Sequence, residues 1–283
     1  MLKADLHCHS TYSDGTLDPG QLVATARAFG LAALALTDHD TVEGVEEFRE
    51  SGKKTGFLAL RGVELSLNYK GTTHLLGLDA GNRETLDLDL GFLQKYRAER
   101  NQRLLSALRG LGIDLSLEEV ARLAGEGQMG KPHFALALVA RGLCESVQDA
   151  FTRYLGKGRP AHVEKKRLAP PEAIALLARA GLAPVLAHPI SLKIPLDEYR
   201  ASLAELKEWG LVGLEAYHPD HSPPLRGFFA SLARELGLAV TCGSDFHGAN
   251  KKTPLSWVRD NGPLSARVIG DLHEAFIKSW GDV

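Results

Sequence analysis

The hydrophobic and polar positions of the chain alternate between short, strand-like runs and longer helical periods. Leu31–Leu36 is an unbroken apolar run, as expected of a parallel strand buried on both faces. Residues 2–6, 183–187, 211–217 and 238–242 read as further strands, and residues 57–67 and 72–78 as a pair joined by a turn at Lys70-Gly71. Between them lie helical patterns. Asp18 is a good N-cap, Pro19 suits the first helical position, and the pattern runs to Phe29 before Gly30 stops it. Residues 41–55, 170–180, 196–209, 223–236 and 266–280 read as helices in the same way. The repeated strand–helix unit predicts an α/β fold with a parallel sheet, open or closed into a barrel.

From residue 86 to 158 the character changes. Residues 93–111, 117–124, 132–141 and 147–154 form helical, Arg-rich stretches, with no strand pattern among them. This reads as a helical insertion at 91–157 within a domain made of 1–90 and 158–283. There is no internal repeat and no low-complexity tract.

Composition narrows the function classes. The 283 residues include 33 Lys+Arg and 35 Asp+Glu, a net charge of −2. That balance argues against a polycation that wraps duplex DNA and against an acidic solvating tail. Cys8, Cys144 and Cys242 are far apart, with no C-x-x-C pair, so neither a zinc ribbon nor a disulfide framework is expected. The first residues lack a long apolar segment, and no run of 18 apolar residues occurs. The expectation is a cytoplasmic protein with no membrane partner.

The 11 histidines are informative because of where they fall. His7 and His9 follow the first strand. Asp38-His39-Asp40 follows the second, Glu64 lies in the third and His74 in the next. His188 follows residues 183–187, and Asp245 and His247 follow residues 238–242. Loops that leave the carboxyl ends of parallel strands form the ligand-binding rim of α/β proteins. In an extended chain residues i and i+2 point the same way, so His7 and His9 can face one ion while Cys8 faces elsewhere. Asp245-x-His247 repeats the spacing, with Gly243 and Gly248 allowing close backbone approach. Oxygen and imidazole donors without sulfur suit Mn²⁺, Fe²⁺ or Zn²⁺ in a multinuclear hydrolytic site. The candidates exceed what one ion can use, which implies two or three ions with a carboxylate such as Glu64 bridging.

Asp5-Leu6-His7-Cys8-His9-Ser10, Ser13-Asp14-Gly15, Thr37-Asp38-His39-Asp40, Gly62-Val63-Glu64, Ala187-His188-Pro189 and Gly243-Ser244-Asp245-Phe246-His247 together resemble the PHP (polymerase and histidinol phosphatase) superfamily. The resemblance implies a distorted (β/α)₇ barrel, with the insertion capping the active site, and a trinuclear metal centre. One ion would take His7, His9, Glu64 and Asp245. A second would take Glu64, His74 and His188, and a third Asp14, His39 and His247. Position 14 is often His in the superfamily, and Asp there favours Mn²⁺ or Mg²⁺ over Zn²⁺. Asp5 and Asp38 are expected to orient ligating imidazoles.

Arg97-Ala98-Glu99-Arg100-Asn101-Gln102-Arg103, Gly130-Lys131-Pro132-His133-Phe134 and Gly158-Arg159-Pro160-Ala161 resemble a subgroup that includes 3′,5′-nucleoside-bisphosphate phosphatases and the 5′→3′ exoribonuclease RNase AM. In that subgroup the insertion binds the substrate's 5′-phosphate. The resemblance therefore implies Arg100, Asn101, Gln102, Arg103, Lys131, His133 and Arg159 as substrate contacts. Glu64 and Asp245 would serve the chemistry, with His218 as proton donor to the leaving group. The expected reaction removes the 3′-phosphate from a small 3′,5′-bisphosphate such as 3′-phosphoadenosine 5′-phosphate, or acts on 5′-phosphorylated RNA ends. Other readings are a phosphatase for a different small monoester, of the histidinol-phosphate type, and a non-catalytic metal-binding regulatory domain. All nine ligand positions are filled, which argues against the last.

Overall fold

The computed structural model describes residues 3–79, 86, 88–124, 129–255, 257 and 267–280. Leu2 and Ala266, which end two of the expected elements, lie outside these residues. The chain divides into two compact units, Met1–Leu88 with Arg167–Val283, and Asp89–Lys166.

The first unit is a distorted (β/α)₇ barrel. Its seven strands are β1 (Lys3–Cys8), β2 (Leu31–Leu36), β3 (Leu58–Ser66), β4 (His74–Asp79), β5 (Leu182–Leu186), β6 (Gly213–Tyr217) and β7 (Ala239–Cys242), and they pair in sequence order. All neighbouring pairs are parallel except β3–β4 and β4–β5. The reversal has a local cause. Only residues 67–73 join β3 to β4, too few for the crossover that a parallel neighbour needs. Beyond β7, an isolated parallel bridge ties Phe246 to Cys8, and the His9 N–H donates to the Phe246 carbonyl at 2.9 Å.

Helices α1 (Pro19–Ala28) and α2 (Val45–Thr55) pack on the first strands. The α1 cap is reciprocal: the Gln21 N–H donates to Asp18 Oδ1 at 2.7 Å, and the Asp18 N–H to Gln21 Oε1 at 3.1 Å. Alternate residues of β2 enter different cores. Ala33 and Ala35 join Ala4, Leu6, Leu76 and Val185, whereas Leu34 and Leu36 join Leu22, Val23 and Phe48. Burial on both faces is why β2 reads as a continuous apolar run.

The second unit has its own core, in which Leu104, Leu108, Val120, Phe134, Leu138, Leu155 and Ala161 are buried together. Its helices are α3 (Gly91–Gly110), α4 (Leu117–Ala124), α5 (Lys131–Ala140) and α6 (Val147–Ala150). Two details differ from the sequence-based expectation. The unit extends to Lys166 rather than 157, because Ala161 and Val163 pack into its core. The helix expected at 147–154 widens after Ala150 into a π-turn, Phe151–Leu155, in which the Gly156 N–H reaches the Phe151 carbonyl at 2.8 Å. The Leu155 carbonyl then accepts from Lys131 Nζ at 3.2 Å.

The remaining helices, α7 (Pro170–Arg179), α8 (Tyr199–Glu208), α9 (Pro223–Glu235) and α10 (Arg267–Trp280), belong to the barrel unit. No helix among the described residues is long and apolar enough to cross a membrane.

Candidate metal centre

The carboxyl ends of β1, β2, β5, β6 and β7 deliver His7, His9, His39, His188, His218, Asp245 and His247 to one rim. β4 runs the opposite way and therefore brings its first residue, His74, to the rim where its neighbours bring their last. Its partner there is Ser66, two residues beyond Glu64.

Glu64 is the centre of the arrangement. Its Oε1 lies 2.8 Å from His74 Nδ1 and 3.1 Å from His188 Nε2. Its Oε2 lies 2.9 Å from His39 Nδ1, 3.3 Å from His9 Nε2 and 3.4 Å from His7 Nε2. One buried carboxylate thus contacts five imidazoles. Asp245 Oδ1 approaches His9 Nε2 at 3.2 Å and His7 Nε2 at 3.5 Å. Asp14 lies 3.2 Å from His247 Nε2, 3.8 Å from His9 Nδ1 and 3.8 Å from His39 Nε2.

Four groups bring ligand atoms close enough to share a cation: His9, Asp14, His39 and His247; His7, His188 and Asp245; His7, His9 and Glu64; and His39, Glu64 and His74. Every residue singled out as a ligand from the sequence falls in at least one of them. The donor chemistry fits divalent ions. His7 Nε2, His9 Nε2, Glu64 Oε2 and His74 Nδ1 are buried, and their close approaches to one another lack hydrogen-bond geometry. Such atoms are costly to bury unless a cation or proton satisfies them.

Surrounding groups fix the rings. Opposite the ligand side, His7 Nδ1 donates to Glu215 Oε1 at 3.0 Å, leaving Nε2 turned to the cluster. Glu215 also accepts the His188 N–H at 2.8 Å. His247 Nδ1 donates to the Asp245 carbonyl at 2.8 Å, which leaves its Nε2 lone pair toward Asp14. Gly243 is required here, since a Cβ would collide with Glu215 Oε1 and His7 Cβ. His188 and Asp245 both adopt positive φ, 25° and 51°, a region non-glycine residues avoid.

Sequence reasoning gave no role to Glu215, three positions before His218. Two further carboxylates hold the loops that carry ligands. Asp38 takes the Ser10 N–H at 2.8 Å, Ser10 Oγ at 2.6 Å and Ser13 Oγ at 2.5 Å, and Ser13 Oγ lies 3.4 Å from His9 Nδ1, so Asp38 reaches an imidazole through Ser13. Asp5 takes the backbone N–H groups of His7 at 3.2 Å and Ser244 at 3.0 Å. Cys8 turns away from the rim as alternation requires: its thiol donates to the Ala35 carbonyl at 3.2 Å within the apolar core.

The electrostatics favour positive charge at the centre. Burial alone would lower His9, but Asp245 and Glu64 raise it to about 9. Burial likewise opposes the charged form of His7, yet Glu215, Glu64 and Asp245 hold it well above its usual value. Glu64 is held well below the usual carboxylate range despite burial, through His39, His74 and His7. His74 goes the other way, to about 4, because burial and its imidazole neighbours outweigh Glu64.

His218 sits at the edge of the cluster. Its Nδ1 accepts the Asp220 N–H at 3.1 Å, so the ring proton resides on Nε2, 3.6 Å from Asp245 Oδ2. A cavity of about 210 Å³ opens beside the rim, lined in part by Glu64, His74, His188 and Asp245.

In the helical unit, Arg100 and Asn101 are buried, and Arg100 Nη2 donates to Asn101 Oδ1 at 3.1 Å. Asn101 Nδ2 in turn donates to the Met129 carbonyl at 3.1 Å. Gln102, Arg103 and Arg159 are exposed. Lys131 Nζ lies 3.0 Å from His162 Nδ1, and His133 Nδ1 accepts the Gly130 N–H at 3.0 Å, which caps α5.

The PHP domain family matches residues 5–168. A 5′-3′ exoribonuclease of Haemophilus influenzae is 35% identical over 282 residues, covering 98% of both chains. A 3′,5′-nucleoside bisphosphate phosphatase of Chromobacterium violaceum is 31% identical over 250 residues, covering 87% of this chain and 88% of that protein. The crystal structure of a Bifidobacterium adolescentis protein described as a metal-dependent phosphoesterase superposes with a TM-score of 0.79 at 28% identity, over 97% of this chain and 96% of that one.

Proposed function

The chain belongs to the PHP domain family and is a metal-dependent phosphoric ester hydrolase, and from that premise we propose that it removes the 3′-phosphate from 3′,5′-nucleoside bisphosphates. The observation that most supports hydrolytic chemistry is the Glu64 carboxylate shared among five imidazoles, with Asp245 and Asp14 completing the ring of donors. Three divalent ions, with Mn²⁺ the best match to the donors, would be held by His7, His9, Glu64 and Asp245; by Glu64, His74 and His188; and by Asp14, His39 and His247. When bound, such ions neutralise phosphoryl oxygens and lower the pKa of water toward neutrality.

The protein's own groups do the rest. Glu215 keeps the His7 ring turned to the centre. His218, with its Nε2–H on the side of Asp245, hydrogen-bonds the leaving oxygen as it departs. Arg103, with Lys131, His133 and Arg159, holds the 5′-phosphate, for which a guanidinium fork is well suited. Arg100, Asn101 and Gln102 stand beside Arg103 on α3 and belong to the same proposed contact set, with Arg100 Nη2 donating to Asn101 Oδ1.

The Chromobacterium violaceum relative supports the bisphosphate substrate by its name. The Haemophilus influenzae relative supports a second reading, stepwise cleavage of 5′-phosphorylated RNA, in which the same 5′-phosphate contacts serve. Metal analysis of the purified protein, with phosphate release from 3′-phosphoadenosine 5′-phosphate in Mn²⁺, tests the reading. Bound divalent metal and stoichiometric AMP are expected. No metal, and no phosphate release after Mn²⁺ addition, would refute it.

A further inference from the structure

The cavity beside the rim is lined by His39, Glu64, Thr72, His74, His188, Ser191, Asp220, Asp245 and Lys251. Among these, Lys251 alone is a lysine or arginine. Its Nζ donates to Asp245 Oδ2 at 2.5 Å, and its side chain is 44% exposed. An ammonium has three donors, so this contact leaves two for another acceptor.

The backbone that presents Lys251 is built rather than loose. Gly248 adopts φ +64°, and a Cβ there would collide with Thr16. The Ala249 N–H donates to Thr16 Oγ1 at 2.9 Å, and Asn250 Nδ2 donates to the Asp14 carbonyl at 2.8 Å. Residues 248–250, a 3₁₀ turn, thereby tie the segment after His247 to the loop that carries Asp14. Lys251 leaves this turn directly into the cavity.

From this geometry we infer that Lys251 is a substrate-binding residue whose ammonium contacts a non-bridging oxygen of the phosphoryl group being removed. The assignment rests on the phosphohydrolase reading above and adds to it a contact supplied by the barrel unit itself. A tetrahedral dianion beside Asp245, Glu64 and Asp220 gains from a cation on the protein side in addition to any bound metal. Lys251 provides it next to Asp245. A cavity of about 210 Å³ admits a phosphoryl group with part of a sugar, whereas sites for whole drug-sized ligands usually start near ~300 Å³. The pocket is therefore sized for the reacting end of a substrate.

The test is calorimetric titration of inorganic phosphate into Mn²⁺-loaded full-length protein, wild type against Lys251→Met and Lys251→Arg, with metal content measured on each. Lys251→Met should bind phosphate about 10- to 100-fold more weakly at unchanged metal content, the range expected on losing a charge-assisted hydrogen bond. Lys251→Arg should recover most of the affinity. Unchanged phosphate affinity in Lys251→Met would overturn the assignment. So would a loss of affinity that merely follows a loss of metal, because Lys251 would then be a positioning residue for Asp245. Failure of the parent reading looks different: the wild type would bind phosphate yet release none from 3′-phosphoadenosine 5′-phosphate.

Discussion

The barrel rim and the basic face of the helical unit contain similar residue types but are built differently. At the rim, His7, His9, Glu64 and His247 are almost wholly buried, and the ring orientations of His7 and His247 are set by partners on the far side. In the helical unit, Arg103 is 68% exposed, and its ion-pair partner Glu99 lies 4.0 Å away, one turn back on the same helix. A contact of that kind is worth little on a solvated surface. The rim is organised before any substrate arrives. Arg103 can be organised only by what it binds. Under the proposed function the difference divides the labour: the rim would break the bond, and the helical unit would choose among phosphate esters.

The most severe test of this division is Glu64→Gln. Removing the shared carboxylate charge should cost on the order of 10³-fold or more in kcat/KM on every phosphate ester, with loss of bound metal. Phosphate release and elemental analysis read both effects. Next comes Glu215→Gln, which keeps the shape but loses the charge behind His7. A drop of about 10- to 100-fold in metal affinity or turnover is expected, as for other partners of ligating imidazoles. A change below twofold would show that the rim organises itself without it.

Arg103→Ala separates the two regions most directly. It should lower kcat/KM for a 3′,5′-bisphosphate about 10-fold, while hydrolysis of an aryl phosphate stays within about twofold. Equal losses on both substrates would break the comparison, because Arg103 would then act on the chemistry. The smallest expected effect is Asp18→Ala. It removes the α1 cap and should lower stability by about 1 kcal/mol in denaturant unfolding, with metal content and turnover unchanged.

Local signals were readable in the chain. The Leu31–Leu36 run, the Asp18-Pro19 start of α1 and the His7-x-His9 pair each follow from short-range geometry, and the structure places them as that geometry requires, whereas Asp245, at φ 51°, and His247 fall in different ligand groups. Glu215 was invisible for a physical reason. Its partner His7 is 208 positions away, and only barrel formation brings β1 and β6 together at that level. Lys251 was hidden in the same way, since only folding sets its turn against Asp14 and Thr16. Asp5 serves the His7 and Ser244 backbone, and Asp38 acts on His9 only through Ser13, links that adjacency in sequence does not reveal. The π-turn at Phe151–Leu155 changes the hydrogen-bond step without changing the apolar pattern, so periodicity could not reveal it.

The positive φ angles of His188 and Asp245 have a consequence for protein engineering. Each non-glycine residue in such a region costs on the order of 1–3 kcal/mol. A stabilisation protocol that ranks positions by backbone comfort would nominate glycine at 188 and 245 among its first choices. Both changes would relieve that backbone cost in the metal-free chain and remove two of the proposed ligand side chains. A thermostable variant selected on folding alone is thus expected to drift toward an inert barrel, and any such campaign on this scaffold must screen for phosphate release alongside heat resistance.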